Sequence, residues 1–122
     1  AILYPDTVLD QVIETLKRQE DYATAMIYLS DHGESLGEKG LYLHGIPYAI
    51  APDEQTHVPM VWWLSNSFSQ QQGLDTDCLR QVSDQAASHD NLFHSVLGLL
   101  DVATDVYLQA KDISQTCRSL AN

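Results

Sequence analysis

Basic residues are scarce in this sequence. Six Lys and Arg stand against 17 Asp and Glu over 122 residues, a formal net charge of −11. A surface that binds DNA or RNA neutralises phosphates with lysine and arginine, so nucleic acid is excluded as a partner. A polybasic grip on anionic lipid is excluded with it. The acidity favours solubility and can offer oxygen donors to a cation. Long apolar runs are also lacking. No stretch approaches the ~18 continuous apolar residues of a membrane-crossing helix. The opening Ala1-Ile2-Leu3-Tyr4-Pro5-Asp6 has no basic n-region of a secretory signal. It has no initiator methionine either, and the sequence reads as cut from something longer. Cysteine is limited to Cys78 and Cys117, 39 positions apart. They form no CxxC pair, which excludes zinc-finger spacing. A bridge in an oxidising compartment and two free thiols in a reducing one stand equal on this count. A bridge closing a loop of this size would stabilise by roughly 3–4 kcal/mol.

What is present suits one modest domain, with 44% hydrophobic residues to build a core. Val8, Leu9, Val12, Ile13 and Leu16 make an apolar stripe and predict a helix over 5–19, with Pro5 and Asp6 in its first turn and Lys17 and Arg18 in its last. Residues 24–30 form a continuous apolar run that predicts a strand buried on both faces, as in a parallel sheet. A helix followed by such a strand is half of a βαβ unit, whose first strand would precede residue 1. Residues 58–64, Val-Pro-Met-Val-Trp-Trp-Leu, predict a second buried strand beginning near Pro59. A surface helix or turn is expected from Ser65 to Gly73 and a weak helix over 77–87. Ser88-His89-Asp90-Asn91 is an N-cap cluster opening a helix whose apolar face carries Leu92, Phe93, Val96, Leu97 and Leu100. Beyond Asp101 the sequence predicts a short strand or turn at 106–108. The expected class is α/β.

Between the two strands, residues 31–56 show no periodicity and are punctuated by Gly33, Gly37, Gly40, Gly45, Pro47 and Pro52. A loop this long in a small domain is functional or disordered. It opens on Ser30-Asp31-His32-Gly33-Glu34-Ser35-Leu36-Gly37-Glu38. Ligands of open α/β sheets gather where strands end, and Asp31 and His32 sit at such an end. A hard carboxylate oxygen beside an imidazole nitrogen suits zinc or another divalent transition ion. Neighbouring strand residues point to opposite faces, so both can reach one ion only if the strand has begun to turn, which Gly33 makes sterically cheap. Zinc needs three or four ligands, so this pair is at most half a site. Glu34 can ligate or orient a ligand, and His44 can meet a substrate oxygen or a second metal. The bland alternative is an ion pair or a helix cap.

The stretch Tyr28–Met60, "YLSDHGESLGEKGLYLHGIPYAIAPDEQTHVPM", resembles the core signature of the phosphoethanolamine transferases that modify lipid A. These belong to the alkaline-phosphatase/sulfatase-like superfamily and include enzymes of polymyxin resistance. "AILYPDTVLDQVIETLK" resembles the family's helix before the strand, and "SHDNLFHSVLGLLDV" its last core helix, so the resemblance covers nearly the whole chain. It implies a sulfatase-like sheet flanked by helices, of which residues 1–122 are the C-terminal portion. The whole would be the periplasmic domain of a bacterial inner-membrane protein, with membrane helices and the rest of the same domain upstream. It implies transfer of phosphoethanolamine from phosphatidylethanolamine to lipid A through a threonine nucleophile activated by Zn2+. Asp31 and His32 match two of the family's zinc ligands. His44 matches the histidine that meets substrate phosphate or a second zinc, and Glu34 joins it in the expected substrate-binding set.

The family's other glutamate ligand and its threonine belong to segments upstream of residue 1. None of Thr7, Thr15, Thr24, Thr56, Thr76, Thr104 and Thr116 stands in the nucleophile's context. The chain alone is therefore expected to be inactive. A periplasmic setting favours a Cys78–Cys117 bridge. Glu34 and Glu38 are expected beside the site as orienting groups. His57 is expected in a loop, His89 in the helix-start turn, and His94 solvated on a polar face. Trp62 and Trp63 are expected in the core and at its rim. The alternatives are a transferase acting on another acceptor in the lipopolysaccharide core or a glycan, a sulfatase- or phosphatase-type hydrolase, and a non-catalytic piece.

Overall fold

In the computed structural model, which describes residues 3–36, 42–43, 47, 49 and 51–119, the chain divides into two units. One is Met26–Trp63; the other joins the residues up to Ala25 with those from Leu64 onward.

The Met26–Trp63 unit holds the strands. The apolar runs become β1 (Ala25–Leu29) and β4 (Met60–Leu64), which pair in a two-stranded sheet. At their shared end the Ser65 amide donates to the Thr24 carbonyl at 2.9 Å. The start of β1 thus lies beside the end of β4, and the pair runs antiparallel. The parallel arrangement expected from the sequence does not hold for this pair, because apolar continuity reports burial and carries no direction. Burial on both faces is not found either. All five β1 residues are half-buried, as are Trp62 and Trp63, neither of which reaches a core. Among the described residues each strand has one ladder partner, which leaves its other edge and part of its faces uncovered. The stretch expected as an aperiodic loop contains local structure. β2 (Ser35–Leu36) and β3 (Tyr42–Leu43) pair antiparallel with Ser35 opposite Leu43, and α2 (Asp53–Thr56) makes a single helical turn.

The other unit is helical. The N-terminal stripe forms α1 (Leu3–Lys17), two residues earlier than expected at each end. Leu9, Ile13 and Leu16 are half-buried on it, while Val8 and Val12 remain exposed. α3 (Asn66–Gln71) is capped by Ser65, whose hydroxyl accepts from the Phe68 amide at 3.2 Å. It is no mere surface turn, since Phe68 and Ser69 are buried. Gly73, with φ +59°, ends that segment in the left-handed region that glycine enters without steric cost. α4 (Thr76–Val82) is capped by Asp75, which accepts from the amides of Asp77 and Cys78. The disulfide Cys78–Cys117 ties α4 to the C-terminal tail. Cys117 is buried with Leu74, Phe68 and Leu99. The bridge expected from the family resemblance is present.

α5 (His89–Leu99) begins as expected, with Ser88 before it and the Asn91 side chain accepting from the Ser88 amide at 2.8 Å. Its buried face differs from the one the apolar spacing picks out. Phe93 and Leu100 are exposed, and His94, Ser95 and Leu99 are buried. The tail packs along the helix through polar contacts. His94 Nδ1 accepts from the Leu108 amide at 3.0 Å, Ser95 Oγ accepts from Ile113 at 2.9 Å, and Asn91 donates to the Lys111 carbonyl at 3.0 Å. His94, expected in solvent, is therefore buried, because it supplies an acceptor to an otherwise orphaned amide. Residues 106–108 lie in a turn and its exit rather than a strand. His57 caps the end of α2 in an exposed position and His89 opens α5, both as expected.

Asp112 is buried under α5. It accepts from the Tyr107 hydroxyl at 2.7 Å and from the Ser114 amide and hydroxyl at 2.8 and 2.7 Å. Burial first, then the bond to Asp112, pushes the Tyr107 phenol up to about 12. Gly98 makes room for this carboxylate: a Cβ there would overlap Asp112 Oδ2 and lie 2.8 Å from its Cγ. Gly98→Ala is expected to destabilise by about 1–3 kcal/mol, the range for overpacking a filled site, although alanine is otherwise the better helix former. Chemical denaturation measures this; an unchanged or raised stability would show that Asp112 moves aside freely.

Candidate functional site

Asp31 and His32 follow β1 after one intervening residue, Ser30. The alternation of strand side chains has ended by then, and the two side chains converge. His32 Nε2 stands 3.8 Å from Asp31 Oδ2. Three local bonds hold this turn. Ser30 Oγ donates to the His32 carbonyl at 2.7 Å, the His32 amide donates to Asp31 Oδ1 at 3.0 Å, and His32 Nδ1 meets the Gly33 carbonyl at 3.0 Å. A carbonyl can only accept, so Nδ1 carries the ring proton. In the neutral ring Nε2 is then the unprotonated nitrogen, 3.8 Å from Asp31 Oδ2.

An imidazole nitrogen and a carboxylate oxygen are donor types that a divalent transition ion takes. Ligands at ~2.0–2.1 Å from a tetrahedral zinc stand ~3.3–3.4 Å apart. The observed 3.8 Å is close to that, and the Asp31 side chain, 88% exposed, can rotate to close the gap. A backbone carbonyl on the other ring nitrogen is also the usual support of a metal-ligating histidine. The pair therefore fits zinc as two of its donors. Among the described residues no group of three or more His, Cys, Asp or Glu side chains could hold a metal ion.

Glu34 is exposed two residues beyond His32. His44 and Glu38 lie outside the described residues. One residue was not legible as part of this region: Gln55, on α2, is buried against the loop that carries the pair. A single glutamine in a loop has no spacing signal that would reveal it.

A model of the sulfatase family matches residues 1–102. Phosphoethanolamine transferase EptA of Salmonella typhimurium is 51% identical over 122 residues, covering 98% of this chain and 22% of the relative. Among solved structures, the soluble domain of lipooligosaccharide phosphoethanolamine transferase A from Neisseria meningitidis superposes with a TM-score of 0.92 at 48% identity, covering 97% of this chain and 36% of that domain. The integral membrane form of that Neisseria meningitidis protein matches with a TM-score of 0.91 at 48% identity, covering 96% of this chain and 22% of its length. The chain thus spans about a fifth of the curated relative's length. Among the described residues, no helix is long and apolar enough to cross a membrane.

Proposed function

The chain belongs to the sulfatase family, and on that premise we propose that it is the C-terminal part of the periplasmic catalytic domain of a zinc-dependent phosphoethanolamine transferase. The proposed donor is phosphatidylethanolamine and the proposed acceptor lipid A, with a threonine-linked covalent intermediate whose threonine lies in polypeptide outside this chain. The names of the similar proteins support transfer of phosphoethanolamine. The observation in this chain that carries the reading is the convergence of Asp31 Oδ2 and His32 Nε2 at the end of β1.

In this reading Asp31 and His32 hold the metal. When bound, zinc supplies positive charge that favours ionisation of a hydroxyl nucleophile and offsets the charge of a transferring phosphoryl group. Asp31 spends one carboxylate oxygen on its neighbour's amide and keeps the other for the cation. His32 donates Nδ1–H to the Gly33 carbonyl, which makes Nε2 the ring nitrogen that would face the cation. Glu34, exposed beside the pair, suits the ammonium of ethanolamine, and His44 is assigned to substrate phosphate.

The test is the fate of a headgroup label. The full-length protein, zinc and headgroup-labelled phosphatidylethanolamine are expected to deliver label to lipid A. Label released only as free phosphoethanolamine would replace transfer with hydrolysis of the sulfatase type.

A further inference from the structure

The loop carrying Asp31 and His32 is anchored by a residue twenty positions beyond it. Gln55 is 7% exposed, and its side-chain amide donates to Ser35 Oγ at 2.8 Å, Ser35 being 1% exposed. Its main-chain carbonyl accepts from the Gly33 amide at 3.1 Å. Gly33 is therefore gripped twice. Gln55 holds its N–H, and the His32 ring donates to its carbonyl. A buried glutamine amide finds its partners in one orientation only, and a buried serine hydroxyl left without one is costly. The direction of the His32 ring is thus set by a glycine whose own place is set from α2.

We propose that Gln55 is a positioning residue for the metal pair, acting through Gly33 and Ser35 to hold Asp31 Oδ2 and His32 Nε2 facing one another. This rests on the reading of Asp31 and His32 as metal ligands. Gln55 touches neither donor atom. It fixes the segment from which both project, as residues behind metal-ligating histidines do.

The experiment uses the full-length protein and zinc alone as the probe. Gln55→Ala is expected to weaken zinc binding by about 10–100-fold, the range for losing a group that orients a ligand, measured by competition with a chromophoric chelator. The ligand-field bands of the cobalt-substituted protein should change in intensity, because the two donors no longer hold one geometry. Gln55→Glu keeps the reach and can accept from the Ser35 hydroxyl, so it should stay nearer the parent in both readings. A contact that served the fold alone would lower the melting temperature and leave zinc affinity and the cobalt spectrum as they were; that result overturns the proposal. If Gln55→Ala does not fold, Ser35→Ala, which removes only the gripped hydroxyl, decides by the same two readings. Asp31→Ala separates the two levels. Unchanged zinc affinity in that variant removes the ligand assignment and the positioning role together. Zinc lost in Asp31→Ala but kept in Gln55→Ala removes the positioning role alone.

Discussion

Replacing either Asp31 or His32 by alanine in the full-length protein should lower phosphoethanolamine transfer by about 10³-fold or more, with stability almost unchanged. A metal acting on a phosphoryl group contributes several kcal/mol of transition-state stabilisation, and each ~1.4 kcal/mol is a factor of ten in rate. Losing about three such factors is the expectation when one donor of the site is removed. Stability should barely move because the Asp31 and His32 side chains are 88% and 41% exposed, and such substitutions usually fall within about 0.5 kcal/mol. The double variant should be little worse than either single one, since the two groups act as a unit. Transfer rates and melting curves of the three variants check this. Activity within tenfold of the parent in either single variant would contradict it.

The second large effect is on stability. Replacing both Cys78 and Cys117 by serine is expected to cost about 3–4 kcal/mol, the chain-entropy value for a closed loop of this length. The bridge joins residues 39 apart and fastens the tail to α4. Without it the tail is still held by the Asp75 amide on the Cys117 carbonyl at 2.8 Å, the Ser119 amide on the Gly73 carbonyl at 2.7 Å, and a single bridge between Leu74 and Arg118. Those contacts persist only in the folded state, whereas the covalent link also restricts the unfolded chain. Serine at Cys117 adds a further penalty, because that position is 2% exposed and receives a polar group. Denaturant unfolding of the parent and the double variant measures the difference. A loss below about 1 kcal/mol would show that hydrogen bonds and packing alone hold the tail.

What could be read in advance follows the physics of each segment. α1, β1, β4 and α5 carry strong periodicity or continuous apolar runs, and their positions follow from those patterns to within two or three residues. The relative direction of β1 and β4 does not, since an apolar run looks the same in either sense. The apolar stripe of α5 marks only part of its covered surface for a related reason, Leu92, Val96 and Leu97 being half-buried while Phe93 and Leu100 are exposed. A stripe of Leu, Phe and Val marks where burial is favourable, but here the tail arrives on the other side, bringing amides that need His94, Ser95 and Asn91 as partners. The turn at Asp31 and His32 was legible, because a polar pair before glycine at the end of an apolar run marks where a strand stops, and the structure ends β1 one residue earlier than expected; that the two side chains hold a metal belongs to the proposal. Gln55 was invisible, for its contacts cross 20 residues and depend on a one-turn helix too short to leave a pattern.

The account stands or falls on where the metal sits. Anomalous diffraction at the zinc edge from crystals of the zinc-loaded full-length protein locates it directly. The prediction is one ion at ~2.0–2.2 Å from both Asp31 Oδ2 and His32 Nε2, with His32 Nδ1 still within hydrogen-bonding distance of the Gly33 carbonyl. Zinc bound elsewhere, with both side chains beyond coordinating distance of it, would contradict the assignment.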